Sequence, residues 1–212
     1  PDLAARQREV DRAEAFYRLA AERFRLTVCN CMAGPLRNPD PTVPYMACDR
    51  QGSGVAADQH YEWAAAGYRR LGAVAQELGV KLAFETHMGY LHDLPAPTGR
   101  LLDLIGSPAV GANLDYGNMV YFPRPPALEE AVRALGARIF MVHLKNSVTA
   151  GDGRLPVALA DGTINNREFL RLLRGVGFTG PLCVEAPRGG DREWFARQDI
   201  AYLKALRSDL EG

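Results

Sequence analysis

Short apolar strands alternating with amphipathic helices predict an α/β fold on a parallel sheet. The strand ends narrow this to a (β/α)8 barrel that is incomplete in this chain. Four successive strand-like stretches, 80–87, 110–115, 138–143 and 181–185, each carry a metal-capable group at or near the C-terminal end. These are Glu85, Asp115, His143 and Glu185, spaced 30, 28 and 42 residues apart. About 30 residues is the size of one strand–helix unit. In a parallel strand–helix barrel the C-terminal strand ends converge on one face, where active sites lie. Four distant stretches thereby become one cluster.

Composition bounds the function. The 212 residues, 47% hydrophobic and 24% charged, suit a single globular domain, read as one barrel domain over 1–212. Lys+Arg and Asp+Glu both number 25, so no net basic field draws a nucleic-acid backbone. No run of 18 apolar residues predicts a membrane span. No signal-peptide pattern is present, although the chain begins at Pro1 and a removed leader stays open. The four cysteines, Cys29, Cys31, Cys48 and Cys183, read as free thiols of a reduced, cytoplasmic protein.

In chain order, Leu3, Val10, Ala13, Phe16, Tyr17 and Ala20 recur at helical spacing over 3–23. Residues 25–31 read as a strand. Residues 32–55, rich in Gly, Pro and Asp, read as a surface loop over the C-terminal face. A helix over 57–78 ends at Gly79, and the strand 81–86 follows. A helix near 97–105 is closed by Gly106. Pro125 and Pro126 open a helix that Gly136 closes. The Gly-rich, polar stretch 147–163 reads as a loop on the face of the cluster. Asn165, with Glu168 three residues on, resembles a capping box for a helix over 166–174. A last helix spans about 192–207.

The chemistry centres on Glu85. Period-2 alternation puts Leu82 and Phe84 on one face of its strand and Ala83 and Glu85 on the other. A buried carboxylate is costly unless something pairs with it. Three carboxylates and one imidazole suit Mn²⁺ first, then Mg²⁺ or Co²⁺; Zn²⁺ is accommodated less well, because structural zinc prefers thiolate and imidazole. The plainer alternative is purely structural. In it Asp115 caps a turn, Glu185 pairs with Arg188, and His143 is a satisfied core histidine. His87 shares the parity of Glu85, and Lys145 that of His143, so both are candidate substrate contacts. His92 and Asp93 read as caps of the following helix, Trp63 as core, and Trp194 as core or rim.

The runs Phe84-Glu-Thr-His87, Asn113-Leu-Asp-Tyr-Gly-Asn118, Val142-His-Leu-Lys-Asn146 and Val184-Glu-Ala186 resemble the xylose isomerase-like TIM barrel superfamily, especially its sugar phosphate isomerases and epimerases. The likeness covers roughly 57–207. It implies one divalent metal held by Glu85, Asp115, His143 and Glu185, with open positions for hydroxyl and carbonyl oxygens of a small sugar. It further implies that Glu85 and Glu185 move a proton to and from carbon through an enediolate that the metal stabilises. Asn118 stands where the family commonly has His; an amide can bond substrate but cannot shuttle a proton. Substrate contacts are expected from His87, Asn118, Lys145 and Arg188.

An alternative of the same fold is a metal-dependent lyase, because His143-x-Lys145-Asn146 resembles the 3-dehydroshikimate dehydratases. An endonuclease IV-like nuclease would need more metal ligands than four histidines allow. A metal-free binding module would keep the fold alone. A full barrel needs eight strands, whereas about five are legible here. Strands preceding Glu85 are therefore expected before Pro1, or a neighbouring chain covers the gap as a homo-oligomer, since open parallel edges are avoided.

Overall fold

The computed structural model describes residues 2–185 and 188–211. The strands are β1 (Val28–Cys31), β2 (Lys81–Glu85), β3 (Val110–Asp115), β4 (Ile139–Leu144), β5 (Asn146–Ala150), β6 (Gly153–Val157) and β7 (Leu182–Val184). The helices are α1 (Leu3–Phe24), α2 (Asp58–Leu78), α3 (Pro95–Ile105), α4 (Tyr116–Met119), α5 (Leu128–Leu135), α6 (Asn166–Gly175) and α7 (Arg192–Glu211). Five parallel strands in the order β1-β2-β3-β4-β7 make a curled half-barrel with flanking helices. Among the described residues, β1 and β7 each have a sheet neighbour on one side only.

Local chemistry sets the boundaries. Asp2 caps α1 by accepting the Ala5 amide at 2.8 Å, which satisfies one of the orphan donors of a helix start. Gly79 closes α2 with φ 66°, a left-handed cap that turns the chain straight into β2. Asn165 caps α6 through the Glu168 amide.

The apolar residues divide into two core clusters between sheet and helices. Leu82 and Phe84 of β2 pack with Tyr17 of α1 and Tyr61, Tyr68 and Leu71 of α2. The rings of Phe84 and Tyr68 meet edge-on, 4.5 Å between centroids. Leu114, Val142 and Leu144 pack with Val132 and Leu135 of α5 and Phe169, Leu172 and Leu173 of α6. Each strand thus gives one set of alternating residues to the helices. The other set, Glu85 among it, is free for the concave side.

Several expectations change: Pro125 and Pro126 do not open α5, which starts at Leu128 after the N-cap Ala127. The stretch 147–163 is not a plain loop, because it contains the antiparallel hairpin β5–β6. Its signal was present: Val148 and Leu155, which pair across the strands, flank the Gly151-Asp152 turn. The first strand begins at Val28 rather than 25, and α3 begins at Pro95, earlier than expected. None of the described helices is long and apolar enough to cross a membrane.

Candidate metal centre

Neighbouring strand ends bring the four groups together. Asp115 and His143 are register partners on β3 and β4. Glu85 ends β2 opposite Asn113, and Glu185 follows β7 directly, its amide donating to the Leu144 carbonyl at 2.9 Å. One ligand atom from each of Glu85, Asp115, His143 and Glu185 lies within 4.8 Å of the others. His143 Nδ1 is 3.4 Å from Glu185 Oε2 and 3.7 Å from both Glu85 Oε2 and Asp115 Oδ2. Glu85, Asp115 and His143 are buried, whereas the Glu185 side chain is 46% exposed.

Amides hold the buried end of the cluster. Glu85 Oε2 accepts from Asn30 Nδ2 at 2.7 Å and Oε1 from Asn118 Nδ2 at 3.2 Å. Asn118 Nδ2 also reaches the Thr86 carbonyl at 3.1 Å, and Asn30 Oδ1 accepts from Asn113 Nδ2 at 3.0 Å. Asn118 is oriented by its two acceptors, whereas Asn113 bonds only through Nδ2 and its Oδ1 is buried without a partner. Asp115 Oδ1 accepts the Asn118 amide at 3.1 Å, which caps α4 and aims the carboxylate. Thr86 Oγ1 accepts the Asp115 amide at 2.8 Å.

Beneath Glu85 lies His92, fully buried. Its Nε2 accepts the Ala33 amide at 3.0 Å, so Nδ1 carries the hydrogen and donates to the Glu85 carbonyl at 2.6 Å. Burial lowers its pKa to about 4. His92 and Asp93 therefore do not cap α3, whose N-cap is Leu94. Asp93 accepts the Ser53 amide at 3.0 Å, tying the 32–55 loop to the site.

Lys145 completes the cluster. Its Nζ is 2.7 Å from Glu185 Oε2 and 2.8 Å from Asp115 Oδ2. Burial alone would lower the His143 pKa, but the carboxylates of Asp115, Glu185 and Glu85 raise it to about 10. The Glu185 pKa is held at about 2 by His143, aided by Lys145 and against partial burial. Burial dominates at Asp115 and raises it, although His143 and Lys145 pull the other way.

The donor set fits a divalent cation on an observation of its own. Asp115 Oδ2 and His143 Nδ1 are buried without a hydrogen-bond partner; Lys145 approaches Asp115 Oδ2 as an ion pair outside hydrogen-bond geometry. Buried polar atoms are rarely left so, and both are donors of the kind such ions take.

The remaining expected contacts have partners of their own outside the four-residue cluster. His87 follows the end of β2, so strand parity no longer governs it. Its Nδ1 faces the Met88 carbonyl at 2.9 Å and its ring meets Tyr90 edge-on. Arg188 is buried and pairs with Asp199 and the Phe195 carbonyl rather than with Glu185. Trp63 is half-buried with the Arg6 guanidinium 4.3 Å over its ring, and Trp194 is 57% exposed. Asn30, Asn113 and His92 were not expected in the site. The first two could have been found by carrying the alternation of Glu85 onto the neighbouring strands.

Comparison with known proteins places this geometry. The family described as xylose isomerase-like TIM barrel matches residues 1–206. Two inosose dehydratases of Clostridium perfringens are each 27% identical over 153 residues, 64% of this chain and 50% of theirs. The chain thus spans about half the length of the curated relatives it matches. A xylose isomerase-like TIM barrel protein from Mycobacterium smegmatis, solved in complex with magnesium, superposes with TM-score 0.78 at 24% identity, over 98% of this chain and 69% of that one. A D-psicose 3-epimerase, solved in the presence of D-fructose, superposes with TM-score 0.73 at 18% identity, over 100% of this chain and 73% of that one. The chain belongs to the xylose isomerase-like TIM barrel family.

Proposed function

We propose that this chain carries the metal-binding half of a barrel that moves a proton at a carbon beside the carbonyl of a small polyhydroxy ketone, as a sugar isomerase or epimerase. The observation that carries the reading is the convergence of Glu85, Asp115, His143 and Glu185 within 4.8 Å. Glu85, Asp115, His143 and Glu185 would hold one divalent ion, Mn²⁺ or Mg²⁺; the magnesium complex of the Mycobacterium smegmatis protein supports that class of ion. When bound, such an ion supplies positive charge to neighbouring substrate oxygens.

The chain's own groups do the rest. Glu185, half exposed and held by no side-chain amide among the described residues, is the carboxylate that can approach a substrate carbon and take its proton. Glu85 stands opposite, with both oxygens held by Asn30 and Asn118, and returns or receives the proton at the buried side. Lys145 Nζ, already 2.7 Å from Glu185, can hold the oxygen on which charge develops. Asn118 is committed to Glu85 and Thr86, so its part is to orient Glu85. His87 and Arg188 belong to this reading only as outer contacts.

A second reading is a dehydratase. It is favoured by the inosose dehydratase relatives and by Lys145, an ammonium placed where a departing hydroxyl could take a proton. Both readings begin with the same proton abstraction. The test is solvent-deuterium exchange, followed by NMR, on ketohexoses, inosose and dehydroshikimate with Mn²⁺ added. Exchange with ketose interconversion supports the first reading, and exchange with loss of water supports the second. No exchange on any of these substrates refutes both.

A further inference from the structure

We infer that Lys145 is an internal counter-cation that competes with the divalent ion for the carboxylates of this centre; the inference rests on the metal reading above. The Lys145 ammonium stands 2.8 Å from Asp115 Oδ2 and 2.7 Å from Glu185 Oε2, two of the four groups that converge within 4.8 Å. A single ammonium thus contacts two of the four ligand groups and offsets one of their two negative charges. Two like-signed cations cannot share those two oxygens at close range without mutual repulsion. A divalent ion that takes Asp115 must push the ammonium off it.

The placement is built into the fold. The Lys145 side chain is 15% exposed, and its stem runs over Gly117. A Cβ at Gly117 would meet Lys145 Cγ at 2.2 Å, Cδ at 3.0 Å and Cε at 3.1 Å. Gly117 lies in α4, the single turn that Asp115 itself caps. The segment that aims the Asp115 ligand therefore also makes the groove that delivers the competing charge. Lys145 keeps Asp115 and Glu185 from repelling each other when no ion is bound, and in doing so weakens affinity for the ion. Once displaced from Asp115, the ammonium is free to hold a substrate oxygen, so metal binds before substrate.

The test is direct Mn²⁺ binding at fixed pH and ionic strength, read from the loss of the free aqueous Mn²⁺ resonance. Lys145→Met is expected to bind one Mn²⁺ at least tenfold more tightly than the parent. Should that variant fail to fold, Gly117→Ala, which forces the stem aside, is expected to tighten binding in the same direction. Parent-like or weaker binding by the folded variant overturns the role of Lys145 and leaves the metal reading standing. No saturable Mn²⁺ binding by parent or variant overturns both.

Discussion

Replacing a glutamate by glutamine at the two candidate proton carriers should differ in its effect on stability, because their surroundings differ. Glu185 is 46% exposed and its partners Lys145 and His143 retain other carboxylates. Glu185→Gln should therefore shift stability by less than about 1 kcal/mol, as for other half-exposed ion pairs. It removes a proton acceptor, and turnover should fall by roughly 10²- to 10⁴-fold. Glu85 is buried, and each of its oxygens already accepts an amide hydrogen, from Asn118 and Asn30. The new amide nitrogen of Glu85→Gln must face one of those donors. Rotating Asn118 would set its oxygen against the Thr86 carbonyl, and rotating Asn30 would require Asn113 to turn with it, leaving the Asn113 amide hydrogens rather than its oxygen buried without a partner. One buried mismatch costs about 2 kcal/mol, roughly a 4–8 °C fall in melting temperature for a chain of this size. Thermal melts and deuterium-exchange rates on both variants check the argument. Exchange by Glu185→Gln within tenfold of the parent would exclude Glu185 as the essential base, and an unchanged melting temperature for Glu85→Gln would refute the locked amide chain.

Two further outcomes follow from burial. His92, with its pKa lowered to about 4, binds fewer protons folded than unfolded, so its contribution is lost as pH falls from 6.5 toward 4. Asp93, raised to about 6 by burial, binds more protons folded, so its contribution grows as pH falls from 6 toward 3.8. The two offset each other in the parent, and Asp93→Asn should steepen the loss of stability between pH 6.5 and 4.5 by about 2 kcal/mol; an unchanged slope in urea melts would place Asp93 at the ordinary carboxylate value. Asp199→Ala strips the buried Arg188 of its carboxylate and the Leu159 amide of its 3.0 Å acceptor, and should cost about 3–5 kcal/mol. A loss below about 1 kcal/mol in the same melts would mean that Arg188 finds another partner.

Strand–helix alternation was enough to settle the fold class, since a parallel sheet covered by helices buries both kinds of element at once. The four converging groups were legible for a related reason, because a barrel brings C-terminal strand ends to one face whatever lies between them. Lys145 was legible as a neighbour of His143 by parity alone. The strand ends at Glu85, so parity carries no information about His87 just beyond it. What surrounds each carboxylate was settled by tertiary packing. Asn30 lies 55 residues and Asn118 33 residues from Glu85 in the chain, and no local pattern announces which of many asparagines will face it. His92 looked like a helix cap, but depth in the core made it the neutral pin of the Glu85 carbonyl. Arg188 looked like a partner for Glu185, but Asp199, about two turns into α7, met it first. Periodicity records which face a residue takes, while hydrogen-bond partners depend on register and on packing between distant segments.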